Sequence, residues 1–94
     1  MMRIVWEREF LMRFKMEKKT AKVPEDVRRR IAANLVHYRK ASKLSQEQVS
    51  ASVGYTVNYI SLFENGHRGV GVGGLCELAA LYGTTPGTII DEER

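Results

Sequence analysis

Ser45-Gln46-Glu47-Gln48-Val49-Ser50-Ala51-Ser52-Val53-Gly54-Tyr55-Thr56-Val57-Asn58-Tyr59-Ile60-Ser61-Leu62-Phe63-Glu64-Asn65-Gly66 is the stretch that decides the fold. Ser45-x-x-Gln48 is a capping box, in which each residue can satisfy the other's free backbone N–H, so it opens a helix. Val49 and Val53 are the apolar contacts of that helix, and Gly54 ends it. Thr56 is suited to cap a second helix, whose inward residues are Ile60 and Phe63. Asn65-Gly66 closes it. The joint between the two is very tight, at Gly54-Tyr55. Two helices cross steeply only where the contact residue is small and the turn residue tolerates positive φ. Ser50, four before the glycine, is small, and Ile60, six after it, locks the second helix against the first.

Helices flank this pair on both sides. Upstream, Pro24-Glu25-Asp26 reads as a helix start, with proline pre-organised for the first turn and two acids complementing the helix dipole. Val27, Ile31, Leu35 and Tyr38 follow at i, i+4, i+8 and i+11 and form one buried stripe. Arg28, Arg29, Arg30, His37, Arg39 and Lys40 lie largely off it. Downstream, a fourth helix is predicted from about Gly74 to Tyr82, with Leu75, Leu78, Ala79 and Tyr82 inward and Gly83 as its stop. Thr85-Pro86 caps a fifth, short helix carrying Ile89 and Ile90. The fold class is therefore all-α, with five helices in one domain over residues 24–94.

Residues 1–23 are of a different kind. Ile4, Trp6, Phe10, Met12, Phe14 and Met16 share one parity, interrupted by Arg8, whereas on a helix they would scatter round the whole circumference. Period two predicts an extended strand over 3–16, followed by a polar, lysine-rich linker over 17–23. A lone strand needs a partner. Pairing with its copy in a second chain through Ile4, Trp6, Phe10, Met12 and Phe14 is one solution, and docking on another protein is a second. The segment is alternatively an upstream-start extension, Met12 and Met16 both being possible starts.

Ninety-four residues bury one modest core, which excludes a two-domain dehydrogenase, a barrel enzyme or a kinase within this length. The chain is 44% hydrophobic and 28% charged, the balance of an ordinary soluble globular protein. It holds no apolar run long enough for a membrane helix and no secretory h-region, so a cytoplasmic location is expected. A lone cysteine, Cys76, forms no internal disulfide and builds no zinc site by itself, and it reads as a buried thiol. His37 and His67 have no carboxylate constellation around them. Hence no metal, no cofactor and no enzymatic activity are expected.

The net charge of +4 is unevenly placed. Residues 1–23 carry seven basic and three acidic side chains. Val27 to Val70 carries seven basic and two acidic, whereas Gly71 to Arg94 carries one basic and four acidic. Such a chain suits a polyanion on one side. Gly69-x-Gly71-x-x-Gly74 matches a dinucleotide fingerprint as a string. It follows a helix stop and not a strand, so a loop whose amides approach a phosphate fits better.

The elbow at Gly54 is the helix-turn-helix geometry, which presents its second helix to a DNA major groove. Leu44-Ser45-Gln46-Glu47-Gln48-Val49, Val53-Gly54, Ile60-Ser61-Leu62-Phe63-Glu64-Asn65-Gly66 and Gly83-Thr84-Thr85-Pro86 resemble the phage-repressor and Cro-like helix-turn-helix family (XRE family, with a lambda-repressor-like domain) over about Val27 to Ile90. The resemblance implies that Val57, Asn58, Ser61 and Leu62 face bases. It implies phosphate contacts from Gln46, Thr56, His67 and Arg68, and Tyr59 is placed with them. It implies an ion pair between Arg39 and Glu64, and dimers formed through the fourth–fifth helix region. Glycine-rich Gly69–Gly74 and the apolar Val57 and Leu62 depart from the family's usual composition. Helical angle independently turns Asn58, Ser61 and Leu62 away from Ile60. Asn58 can pair bidentately with adenine, and Val57 and Leu62 can touch a thymine methyl, which predicts an A·T-leaning half-site supplemented by DNA shape. The alternative for Val57, Tyr59 and Leu62 is packing or interface.

The expected function is that of a sequence-specific double-stranded DNA-binding regulator, a repressor acting as a homodimer on a palindromic operator. Lys18, Lys19 and Lys22 are available to reach along the DNA. The alternative is an antitoxin-like module whose N-terminal strand docks on a partner protein and whose helix-turn-helix serves autoregulation.

Overall fold

The computed structural model describes residues 23–94. The strand expected over 3–16, with Ile4, Trp6, Phe10, Met12 and Phe14, and the linker up to residue 22 lie outside the described residues. Within them are five helices: α1 Glu25–Ala41, α2 Gln46–Val53, α3 Val57–Glu64, α4 Val72–Tyr82 and α5 Pro86–Asp91.

The start and stop chemistry explains the boundaries. Ser45 Oγ accepts from Gln48 N at 3.1 Å while Gln48 Oε1 accepts from Ser45 N at 2.8 Å, the reciprocal box that opens α2. Thr56 Oγ1 accepts from Tyr59 N at 3.2 Å and caps α3, and Thr85 Oγ1 accepts from Thr88 N at 3.1 Å and caps α5. Gly54 closes α2 at φ 80°, in the left-handed region that a side chain would make costly, and its N–H returns to Ser50 O. Ser50 does more than keep the crossing small: its hydroxyl donates to the Tyr55 carbonyl and ties down the far side of the elbow.

All the helices contribute to a single core of Leu35, Val49, Ile60, Phe63, Leu75, Leu78, Ala79, Tyr82 and Ile89. Burying each Val-, Leu-, Ile- or Phe-sized side chain stabilises the fold by about 1.5–3 kcal/mol. The α1 stripe sits slightly round from its expected position. Leu35 is buried, but Ile31 and Tyr38 are half-buried at the core's margin, and Ala32 and Asn34 are buried instead. The reason is that α1 packs on two sides, against α3 and α4 through Leu35 and against α5 through Asn34.

Two expectations need correction. α4 begins at Val72, not Gly74. Gly73 and Gly74 disfavour helix intrinsically, yet Gly74 is buried, and a methyl group there would overlap the Tyr55 hydroxyl. Tertiary packing therefore selects a glycine inside the helix. Cys76 is exposed rather than buried. It lies at the flank of the α4 face formed by Leu75, Leu78, Ala79 and Tyr82, which take the core side.

Along the far side of the domain, α1 holds α5 by polar contacts. Asn34, fully buried, donates through Nδ2 to Ile89 O and Glu92 O, both at 2.7 Å, and accepts from Arg94 Nε at 2.7 Å. Arg30 Nε donates to Ile90 O at 2.8 Å, and the Tyr38 hydroxyl donates to the Glu92 carboxylate. These contacts satisfy backbone carbonyls at the end of a six-residue helix that has few bonds of its own.

Candidate nucleic-acid interface

The site is built on α3. Ile60 and Phe63 are 2% and 5% exposed and set the inward face. At 3.6 residues per turn, this directs Asn58 away from the core, with Val57, Ser61 and Leu62 on either side of it. Asn58 is exposed, and Val57, Ser61 and Leu62 are half-buried. Asn65 Nδ2 donates to Ser61 Oγ at 3.3 Å, which leaves the Ser61 hydroxyl proton free to donate elsewhere. The four residues expected to face bases thus share one outward surface.

Glu64 joins three helices. Its Oε2 accepts from Arg39 Nε of α1 at 2.6 Å, and its Oε1 accepts from Gln46 Nε2 of α2 at 3.1 Å. The Arg39 and Glu64 side chains are 14% and 5% exposed, so this pair is not a solvated surface contact. Arg39 also donates through NH1 to Leu44 O at 2.9 Å, closing the α1–α2 turn. The hydrogen bond to Glu64 raises the Arg39 guanidinium above its ordinary pKa, against the opposing effect of burial. Nearby Tyr82 has its phenol pushed up to about 12, first by burial and then by the Glu64 charge. The ion pair therefore ties α1, α2 and α3 together and closes the α1–α2 turn.

Gln46 lies at the first position of α2. One Nε2 proton is bound to Glu64, and the other remains for an external acceptor. Thr56 uses its oxygen as a cap, so its hydroxyl proton is likewise free. After α3 the chain turns at Gly66 and folds back, with His67 N and Arg68 N both donating to Leu62 O, at 3.0 and 3.3 Å. His67 and Arg68 are exposed. Arg68 does not extend freely: its Cζ lies 4.7 Å from the centre of the Tyr59 ring. Tyr59 in turn lies nearly parallel to Phe63, with ring centres 6.2 Å apart, and edge-on to Tyr55.

Gln46, Thr56, Val57, Asn58, Tyr59, Ser61, Leu62, His67 and Arg68 are thus at least partly exposed at the α2 N-terminus, on α3 and in the loop after it, whereas the Arg39–Glu64 pair lies inside. Sequence reasoning missed three features near these residues. Tyr55 packs edge-on to Phe63, at 5.4 Å between centres, and reaches Gly74 of α4. Tyr82 lies beside the Glu64 pair. Lys43, in the α1–α2 turn, holds a left-handed φ of 59°, which no sequence signal marks in a lysine. No helix among the described residues is long and apolar enough to cross a membrane.

A scan against family models matches residues 30–90 to the family described as "Helix-turn-helix domain". A protein of Sinorhizobium fredii (strain NBRC 101917 / NGR234), named as the uncharacterized HTH-type transcriptional regulator y4dJ, is 35% identical over 60 residues. The alignment covers 64% of this chain and 78% of that protein. The all-helical domain with its Gly54 elbow defines a helix-turn-helix protein, and the chain belongs to the helix-turn-helix domain family.

Proposed function

We propose that this chain is a sequence-specific, double-stranded DNA-binding transcriptional regulator of the phage-repressor and Cro-like type. α3 enters the major groove, with Asn58 reading an adenine edge and Val57 and Leu62 lying against thymine methyls. Ser61 donates from the same face. Gln46, Thr56, His67 and Arg68 contact the phosphates on either side and set the register. The regulator acts as a repressor by steric occupancy. One domain offers limited contact area, so it works as a homodimer on a palindrome whose half-sites lie about one helical turn apart. The observation that carries this reading is the single outward surface on which α3's uncommitted polar and apolar side chains lie between two flanks of N–H and O–H donors. The printed name of the Sinorhizobium relative supports the regulatory part.

Selection of bound duplexes from a random pool tests it. An A·T-leaning inverted repeat is expected, with affinity falling steeply as salt rises because phosphate neutralisation releases counterions. A flat salt response removes DNA binding, and selection of single, unrepeated sites removes the dimer.

The α4–α5 region offers that dimer one route, and the alternating apolar sequence of 3–16 offers a second, by pairing with its copy in another chain. The same pattern favours one second reading, an antitoxin-like module that docks on a partner protein. Deleting residues 1–16 separates the two. Joint loss of dimerisation and DNA binding supports the homodimer strand, whereas retained DNA binding with loss of a co-purifying protein supports the docking strand.

A further inference from the structure

We propose that Tyr59 is a positioning residue that acts through Arg68, holding its guanidinium beside α3 to clamp one backbone phosphate. The proposal rests on the duplex-binding reading above and assigns Tyr59 a different part from a direct phosphate contact.

Three observations carry it. The Arg68 guanidinium lies over the Tyr59 ring at 4.7 Å, within cation–π range. Among the described arginines, Arg29, Arg30, Arg39 and Arg94 each have a carboxylate within 4.0 Å, whereas Arg28, on α1 with its Nε buried, and the exposed Arg68 have none. The ring that holds it is itself fixed by near-parallel packing on buried Phe63.

The chemistry follows from the guanidinium's shape. A ring face takes up the cation's own face and leaves the in-plane N–H groups at the edge unspent, and those are the groups that grip a phosphate bidentately. An exposed arginine on a loop otherwise loses much rotamer freedom on binding. Holding it against a ring removes part of that cost beforehand. The placement also matters. Arg68 belongs to the loop beyond α3, but Tyr59 is in α3's first turn, so the cation is carried back along the helix toward the groove-facing end. The outward surface of α3 from Val57 to Leu62 has no cation of its own. Arg68 brings a positive charge against α3 by this contact.

The test uses the full chain with a labelled random-sequence duplex, because a phosphate contact acts on all sequences alike. Arg68→Ala is expected to lower the slope of log K against log salt by about 1. Tyr59→Leu is expected to weaken binding about two- to fivefold, and Tyr59→Phe, which keeps the ring and loses the hydroxyl, rescues that loss. Added to Arg68→Ala, Tyr59→Leu costs nothing further. In the free protein, the δ-protons of Arg68 show a ring-current upfield shift that Tyr59→Leu abolishes and Tyr59→Phe retains, and thermal unfolding confirms that each variant folds. A loss with Tyr59→Phe equal to that with Tyr59→Leu, an undiminished Tyr59→Leu effect without Arg68, or an absent ring-current shift each overturns the proposal. No duplex binding by the unaltered chain overturns the duplex-binding reading together with it, whereas binding with additive variants overturns the proposal alone.

Discussion

The α1–α5 seam and the α2–α3 seam solve the same problem with opposite outcomes. Along the first, Asn34, Arg30, Arg94 and Tyr38 spend their polar atoms inside the molecule, on the carbonyls of Ile89, Ile90 and Glu92 and on one another. Along the second, the Arg39–Glu64–Gln46 cluster and the Ser50 hydroxyl are spent inwardly, whereas Asn58, Ser61, Thr56 and Arg68 keep donors facing out. A polar group satisfied internally contributes to the fold, whereas one left pointing at water is available to a ligand. The difference supports the proposed placement of the DNA contacts on the α2–α3 side of a domain whose two seams are equally helical.

Removing the anchor of each seam is the strongest way to break that comparison. Glu64→Ala leaves Arg39 unpaired in a mostly buried place and is expected to cost about 3–5 kcal/mol in urea unfolding. A cost under about 1 kcal/mol would mean that the cluster behaves as a surface pair. Asn34→Ala is expected to cost about 2–4 kcal/mol, because it strands the Ile89 and Glu92 carbonyls, at about 1–3 kcal/mol for each buried group left unpaired. The folded fraction of Asn34→Ala should bind duplex with unaltered affinity, and a drop in that affinity would blur the division between the seams.

Smaller effects sharpen it. Gly74→Ala forces the Tyr55 ring off the α4 N-terminus and should destabilise by about 1–3 kcal/mol, an overpacking cost visible as a lower unfolding midpoint. Tyr82 provides a pH test of its burial beside the Glu64 cluster. Its phenol ionises near the ordinary 10.0 when unfolded and at about 12 when folded. Between those values the folded chain binds more protons, so stability is complete below pH 10 and declines as pH rises towards 12. The decline attributable to this group is about 1–2 kcal/mol. Tyr82→Phe should remove that part of the alkaline limb, and an unchanged limb would place the titration elsewhere.

What the sequence made legible follows from the range of each interaction. The capping box at Ser45–Gln48, the Thr56 and Thr85 caps and the stops at Gly54, Gly66 and Gly83 are local, spanning three or four residues, and all are observed. The outward set on α3 was legible for the same reason, since helical angle relates Asn58 to Ile60 without any knowledge of the remaining chain. Asn34 was not legible, because its three partners lie 55 to 60 residues away and nothing in its own neighbourhood distinguishes it from a solvated asparagine. The start of α4 was placed two residues late because its N-cap, Gly71, has no side chain to mark a cap and Val72-Gly73 carries no other local start signal. Cys76 was placed inside on its usual preference for burial, although the inward set already named on α4 filled the core-facing side. The Arg39–Glu64 pair came through resemblance alone, and Gln46's share in it came from neither pattern nor resemblance.

Amide-shift mapping during titration with duplex DNA tests the central claim most directly. The account predicts shifts concentrated at the start of α2, along α3 and through residues 66–71, with the α1–α5 seam quiet. Shifts gathered on the Asn34–Arg94 side, or none at all at low salt, would contradict it.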